Sequence, residues 1–294
     1  MVEHLTPGRK AFFAFNYIFL TLVALACVLP LLHVLALSFS SSSAASAGYV
    51  KLWPVEFTLS SYKYVAEQKA FLKSIGVTLE RVAIGVSVNM LLTILIAYPL
   101  SKETGVFRPR TWYAWIFVIT ILFNGGLIPT YMIVKYTAIM DTIWALVLPA
   151  AVPVFNVILM LNFFRNLPKE LEEASFMDGA GHWTTLWRIY VPLSLPSLAT
   201  VTLFATVGHW NAWFDGLIFM NTPDHYPLQS YLQTIIINQD FSAMAQADLD
   251  SLTKISDRTV KAAQIFLGSL PILLVYPFLQ RFFISGIVLG SVKE

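Results

Sequence analysis

Long apolar runs alternate with shorter polar segments along this chain, and six of the runs are long enough to predict membrane-spanning helices. A helix needs about 20 predominantly apolar residues to cross a bilayer. The second helix is expected to begin before its apolar run, near Phe71. The six predicted spans are residues 17–37, 82–100, 112–134, 143–164, 193–220 and 262–279. The pattern therefore predicts an all-α, polytopic membrane protein with about six transmembrane helices.

The composition supports the same class. The chain is 57% hydrophobic and 12% charged, with a mean hydropathy of +0.68. Soluble domains carry about 25% charged residues, so these values indicate an integral membrane protein. The net charge of +2 is too small to indicate a nucleic-acid partner. The single cysteine, Cys27, lies in an apolar run, which excludes a disulfide framework and a cysteine-based metal site.

A polar segment broken by glycine lies between the fourth and fifth predicted spans. Pro168 suits the first turn of a helix, where its missing N–H is not needed, and the glutamates that follow favour the positive end of the helix dipole. Gly179 is a natural stop, because glycine takes the left-handed conformation without a Cβ penalty. A second short helix fits residues 182–190, and Pro192 precedes the next apolar run. The segment therefore predicts two short helices that lie across a membrane surface and meet a partner.

The same segment resembles the EAA loop in the membrane permeases of bacterial ABC importers. The pattern is Glu-Ala-small, three residues, Gly, nine residues, then Ile-x-apolar-Pro. The matching positions are Glu173, Ala174, Gly179, Ile189 and Pro192. Ser175 stands where a second alanine is commoner and Val191 where leucine is commoner, and both departures are conservative in size.

The resemblance implies a type I ABC importer permease fold and a way to supply energy. In that family the first helix of the loop sits in a cleft of a separate ATPase subunit and carries motion into the membrane. The predicted ATPase-coupling residues are Glu170, Glu172, Glu173, Ala174, Ser175, Phe176, Met177, Asp178, Gly179 and Ala180. The hypothesis predicts that Gly179→Pro leaves the protein inserted but uncouples ATP hydrolysis from transport.

The resemblance also orients the chain, as a single transmembrane permease domain of residues 1–294 in the bacterial cytoplasmic (inner) membrane. Both termini and the coupling loop at 166–192 are expected on the cytoplasmic side, with external loops at 38–70 and 221–261. Lysine and arginine counts on the two sides are nearly equal, although the cytoplasmic segments are shorter, so charge alone gives weak support. In that count Arg81 is placed near a span boundary.

Polar residues inside the predicted spans provide candidates for a substrate path. Polar groups and broken helices survive at membrane depth only where protein or a water-filled cavity satisfies them. Tryptophan faces also stack well on sugar rings. The candidates are Asn124, Trp210, Asn211, Trp213 and Asp215. A packing kink at Asn124 and an interfacial aromatic belt near Trp210 are the alternatives, and Asn89 is expected to make an interhelical hydrogen bond.

Two further stretches resemble permeases of the carbohydrate branch. Residues 124–131 read Asn-Gly-Gly-Leu-Ile-Pro-Thr-Tyr, as in permeases for oligosaccharides and polysaccharides, and the C-terminal stretch 280–293 resembles the end of sugar permeases. An alginate importer is the member this suggests most. The resemblance implies a homologous second permease subunit, two ATPase subunits, an external solute-binding protein and a carbohydrate substrate.

The chain lacks sequence patterns for chemistry of its own. It has no G-x-x-x-x-G-K-[ST] phosphate loop and no paired metal-ligand spacing, so we expect a transport subunit and not an enzyme, with ATP and Mg²⁺ bound by partner ATPase subunits. An ion-coupled secondary transporter is the main alternative, but the scarcity of carboxylates inside the spans argues against it. An intramembrane enzyme would need a clustered catalytic set within the spans, and none stands out beyond residues 210–215.

Overall fold

The computed structural model describes residues 6–237 and 257–291, and this part of the chain contains helices and no β-strand. The α-helices are α1 Pro7–Ser38, α2 Ser42–Ser46, α3 Ser60–Glu67, α4 Lys69–Ser101, α5 Arg110–Leu122, α6 Leu127–Tyr136, α7 Ile143–Val147, α8 Val154–Asn166, α9 Lys169–Met177, α10 His182–Thr185, α11 Val191–Leu193, α12 Leu195–Asn211, α13 Phe214–Phe219, α14 Leu228–Ile237 and α15 Asp257–Ser291. Two 3₁₀ turns, Leu148–Ala150 and Pro223–His225, and a π-helix, Leu186–Tyr190, complete the set. Much of the predicted external loop at 221–261 lies outside the described residues.

The predicted number of spans is confirmed, although several spans are not straight. Three helices are long and apolar enough to cross a membrane: α1, α4 and residues 258–275 of α15. Three further pairs of helices pass the same test together but are bent, so the described residues supply up to six spans. The bends are 115° between α5 and α6, 50° before α8, and 82° before α12.

The third predicted span, at 112–134, departs furthest from a single straight helix. The helix α5 has 13 residues and is therefore roughly 20 Å long, which is shorter than the hydrocarbon core of a bilayer. Gly126 then adopts a φ of +86°, and its N–H donates to the side-chain Oδ1 of Asn124 at 2.9 Å. This glycine turn changes the chain direction, whereas the sequence predicted only an interruption.

The described residues form two compact units. One falls within Met1–Lys69 and Ile235–Ser269, and the other within Ala70–Thr234 and Leu270–Glu294. In the first unit α1 is almost entirely exposed, and only Ala36 and Ser38 of this helix are buried. Ala36 packs in a small apolar cluster with residues of and just after α2.

The second unit has the larger apolar core, in which the C-terminal half of α4 meets α8, the π-helix and α12. Aromatic rings from three of these elements pack edge to face, with the centroids of Tyr98 and Tyr190 5.0 Å apart. The buried core residues are Ile94, Ala97, Tyr98, Leu100, Val157, Met160, Phe164, Leu186, Tyr190, Leu198 and Val201. This core joins the end of α4 to the segment that the sequence predicted to couple with an ATPase.

The buried face of α4 is polar for most of its length. Side chains three and four residues apart share one face of a helix. On this face the buried residues are Phe71, Ser74, Thr78, Arg81, Gly85, Asn89 and Thr93. Leucines lie on the exposed side, among them Leu72, Leu79 and Leu91. Because lipid is as apolar as leucine, such a helix packs through its small and polar residues.

Candidate functional site

The first helix of the predicted coupling segment is α9, and local interactions define both of its ends. Pro168 lies at the N-cap, so the helix begins one residue later than a proline in the first turn would place it. Gly179 adopts a φ of +80°, as the sequence predicted. Its N–H donates to the carbonyl of Phe176 at 3.0 Å, and the N–H of Ala180 donates to the carbonyl of Ser175 at 2.9 Å. These two bonds form a Schellman motif, which fixes where α9 stops.

The second half of the segment is held against α9 by a buried hydrogen bond. It runs from α10 through the π-helix to α11, as the prediction for residues 182–190 expected, and then bends by 82° into α12. The hydroxyls of Ser175 and Thr185 are 2.9 Å apart, and both residues are buried. Serine at position 175 therefore provides a bond that an alanine could not make.

Two neighbouring glutamates of α9 face different surroundings. One carboxylate oxygen of Glu172 lies 2.7 Å from Nζ of Lys102, and the other accepts the hydroxyl of Tyr190 at 2.6 Å. Nζ of Lys102 also donates to the Tyr190 hydroxyl at 2.9 Å. Glu173, which carries the EAA resemblance, is exposed. Glu172 therefore anchors the helix within the chain, and Glu173 remains accessible to a partner.

Lys102, Glu172, Tyr98 and Tyr190 together form what we call the Lys102 cluster. Nζ of Lys102 lies 4.0 and 4.1 Å from the ring centroids of Tyr98 and Tyr190, within the range of cation–π attraction. The lysine is only 8% exposed, and this burial lowers its pKa, although the bond with Glu172 opposes the shift. Sequence reasoning missed this role, because no local pattern links Lys102 to Glu172. The one local signal was a tyrosine four residues earlier, on the same side of the helix.

Most of the remaining predicted coupling residues form an exposed surface on α9 and its C-terminal turn. Met177 is 87% exposed, which is unusual for a large apolar side chain and leaves it available for contact with another protein. Ala180 is half-buried. The exposed set is Glu170, Glu173, Ala174, Phe176, Met177, Asp178 and Gly179.

A cavity of about 640 Å³ lies beside the Lys102 cluster and is lined by charged side chains. The guanidinium groups of Arg110 and Arg165 both donate to the carbonyl of Leu100, at 2.8 and 3.3 Å, near the C-terminus of α4. Glu103 and Lys169 form an exposed ion pair at the rim, which lowers the pKa of Glu103 and raises that of Lys169. These contacts attach the start of α9 to the loop after α4 a second time.

A second polar cluster lies where α4 meets the junction between α12 and α13. Arg81 is 2% exposed and pairs with the carboxylate of Asp215, with Nη1 3.1 Å from Oδ1. The same Nη1 donates to the carbonyl of Ala212 at 3.4 Å. Sequence reasoning placed Arg81 near a span boundary and did not predict that its side chain lies on the buried face of α4. The candidate substrate residue Asp215 is thus already ion-paired.

The expected interhelical hydrogen bond of Asn89 is confirmed. Its Oδ1 lies 2.9 Å from Nε2 of His209, and its Nδ2 donates to the carbonyls of Ala150 and Ala151, both at 2.9 Å. The ring of His209 rests against Gly85, where a Cβ would lie 2.5 Å from Nε2. One amide thus connects α4 to two other parts of the chain, and a glycine gives the histidine room.

The predicted substrate-path residues divide between two places. Trp210, Asn211, Trp213 and Asp215 share the α12–α13 junction, whereas Asn124 lies at the α5–α6 turn. Trp210 is 4% exposed, while Trp213 is 40% exposed and Asn211 is also exposed. At the junction, Trp213 and Asn211 are therefore better placed than Trp210 to contact a solute.

Comparison with known proteins identifies the family. Residues 6–288 match the family model described as the binding-protein-dependent transport system inner membrane component. The chain belongs to this family. It is therefore a multi-pass inner-membrane permease subunit of an ABC importer, which confirms the resemblance seen in the sequence.

Similar proteins include two from Bacillus subtilis (strain 168). Protein LplC is 39% identical over 290 residues, which cover 99% of this permease and 97% of LplC. The polygalacturonan/rhamnogalacturonan transport system permease protein YtcP is 38% identical over 277 residues, covering 94% of this permease and 96% of YtcP. These matches run over nearly the whole length of each protein.

Solved structures confirm the fold. A chain of a bacterial ABC transporter involved in the import of the acidic polysaccharide alginate has a TM-score of 0.89 and 31% identity, covering 96% of this permease and 100% of that chain. A chain of the bacterial alginate ABC transporter in complex with an alginate pentasaccharide-bound periplasmic protein has a TM-score of 0.56 at 13% identity, and shares the fold alone.

Proposed function

We propose that this permease imports a carbohydrate of the acidic oligosaccharide or polysaccharide class, driven by separate ATPase subunits that contact residues 170–180. In this proposal both termini and the coupling segment are cytoplasmic. The import cycle is a switch between inward-open and outward-open states. A ligand drives such a switch only as far as it binds one state better than the other.

The structure of α9 is the observation that carries the proposal. The Schellman motif at Gly179, the Ser175–Thr185 hydrogen bond and the Lys102 cluster hold this short helix in one arrangement, while its exposed face remains free for contact. A force applied to that face by a partner would therefore be transmitted to the helices of the second unit and not absorbed by a soft loop.

The energy for transport is supplied, in this proposal, by subunits other than this chain. The sequence has no phosphate-binding loop of the Walker type, so ATP and Mg²⁺ are assigned to two partner ATPase subunits. A homologous second permease and an external solute-binding protein complete the proposed importer. The permease itself would provide half of the passage and one coupling helix.

Two relatives favour an acidic sugar. Polygalacturonan and alginate, the polymers associated with the 38% identical protein and the 31% identical structure, are both built from uronic acids. Arg81 neutralises Asp215 at the α12–α13 junction, which reduces repulsion of a carboxylated sugar there. Exposed Trp213 offers a face on which a sugar ring could stack.

The test is ATP hydrolysis by the assembled importer in lipid vesicles. We expect the solute-binding protein to stimulate hydrolysis when it is loaded with galacturonan or alginate oligosaccharides. Stimulation by neutral maltodextrins alone would contradict the acidic class. Uptake that needs an ion gradient and no ATPase would contradict the importer itself and support a secondary transporter.

Gly179→Pro tests the coupling residues directly. Proline requires a φ near −65° and has no N–H, whereas Gly179 has a φ of +80° and donates to Phe176. We expect the variant to insert in the membrane but to uncouple ATP hydrolysis from transport, so that sugar uptake per ATP hydrolysed falls. Gly181→Ala is the matched control, because no atom lies within 4 Å of the added Cβ. Normal sugar uptake by Gly179→Pro would contradict the coupling role.

A further inference from the structure

One continuous helix, α4, is joined to other elements by three polar contacts in addition to its apolar packing. In α4, Arg81 pairs with Asp215, Asn89 bonds with His209, and Lys102, the residue after the helix, pairs with Glu172. The attachments extend over residues 81–102, which is roughly 30 Å along a helix axis and close to the thickness of a bilayer core. The helix therefore reaches from the coupling segment to the candidate substrate path.

From this arrangement, and resting on the proposed function, we infer that α4 transmits motion of α9 to the α12–α13 junction, with Lys102 as the positioning residue that joins α9 to α4. The backbone of α4 is helical over its whole length, and its single proline, Pro99, lies in the last turn, so a displacement at Lys102 would pass along one continuous element. Its attachments at residues 81 and 89 carry Asp215 and His209 along with it.

Lys102 is the residue best placed to make the connection. Its side chain touches Tyr98 in α4, Glu172 in α9 and Tyr190 in the π-helix at the same time. Removing one partner of a buried ion pair leaves the other charge buried and uncompensated. The two elements that carry the pair are therefore held together. The exposed Lys169–Glu103 pair lacks this property, since solvent replaces a lost partner there.

The first variant is Lys102→Met, which keeps the apolar stem and removes the charge, in the complete importer in lipid vesicles. We expect sugar imported per ATP hydrolysed to fall by about tenfold or more, within the usual range of coupling between sites. Lys73→Met is the matched control and should remain within about twofold of the wild type, because Lys73 pairs with Asp224 where both side chains are exposed. Unchanged import per ATP in Lys102→Met would overturn the inference.

A second measurement separates transmission from simple stability. Because Cys27 is the only cysteine, replacing it by serine allows single labels at Met177→Cys on α9 and Phe214→Cys on α13. In the wild-type background both labels should change mobility when a non-hydrolysable ATP analogue binds. With Lys102→Met we expect the label on α9 to respond and the label on α13 to remain silent. A response at both positions would overturn the inference.

A milder variant keeps the test decisive if Lys102→Met does not assemble. Tyr190→Phe retains the ring above Lys102 and removes only the hydroxyl that binds Glu172. It should assemble and reduce import per ATP several-fold, whereas wild-type coupling would count against the inference. A wild-type importer without sugar-stimulated ATP hydrolysis would instead contradict the proposed function, so the two failures are distinguishable.

Discussion

The helices α1 and α4 are nearly equal in length, at 32 and 33 residues, and both are apolar enough to span a membrane, yet they are built differently. Large apolar side chains cover α1 on all sides, and its two buried residues lie near its C-terminal end. The helix α4 buries a stripe of polar and small side chains and exposes leucines.

The difference shows that the residues that make a helix apolar are not those that make its specific contacts. The surface of α1 matches lipid tails, so its sequence is constrained mainly by hydropathy. The buried stripe of α4 makes specific bonds to other parts of its unit, and each polar residue there requires its partner. Polar residues within spans therefore identify the helices that make specific bonds to the rest of the unit.

The largest expected effect comes from breaking the ion pair of α4. Arg81→Met leaves the carboxylate of Asp215 without its partner, and loss of one partner of a buried pair typically destabilises by about 3–5 kcal/mol. We expect the thermal unfolding temperature, measured in mild detergent, to fall well below that of the wild type. Arg81→Met combined with Asp215→Asn should recover much of that loss, because no charge is then left unpaired.

A smaller effect is expected on the same face of α4, at Gly85. An added Cβ would lie 2.5 Å from Nε2 of His209, whose ring is held by Asn89, so Gly85→Ala should destabilise by about 1–3 kcal/mol. Gly76 in the same helix has open space where a Cβ would lie, with no atom within 4 Å, and Gly76→Ala should stabilise by up to about 1 kcal/mol. Equal unfolding temperatures for the two variants would contradict the packing argument.

The smallest effect is expected in α1. Leu25 is 53% exposed, and Leu25→Ala should change the unfolding free energy of the isolated chain by less than about 0.5 kcal/mol. A loss as large as that of Gly85→Ala would show that the contrast between the two helices is wrong. The measurement uses the same detergent and the same temperature ramp.

Local patterns in the sequence predicted the features that local interactions determine. Apolar runs predicted the spans. Pro168 and Gly179 predicted the ends of α9 within one residue, because helix caps depend on neighbouring backbone groups. The Asn-Gly-Gly stretch predicted a break in the third span for the same reason. Its bend of 115° depends on the surrounding chain and was not predicted.

Pairings between distant residues were beyond local reasoning. Lys102 and Glu172 are separated by several helices and their connections, and no periodicity links them. Arg81 followed a glutamate near the start of an apolar run, so it read as a boundary charge, although its partner Asp215 lies far along the chain. The substrate-path residues remain predictions, since contact with a sugar depends on the other chains of the importer.

The π-helix at Leu186–Tyr190 has a consequence for how this loop tolerates insertion and deletion. A π-turn in an α-helix accommodates one additional residue, and an α-helix rotates by about 100° per residue. Deleting one residue such as Arg188 would restore α-helical winding and leave Tyr190 facing Glu172, because the π-turn absorbs that additional residue. A relative shorter by one residue at this point would therefore keep the tyrosine hydroxyl in place, whereas a deletion within a regular α-helix would rotate every later residue by about 100°.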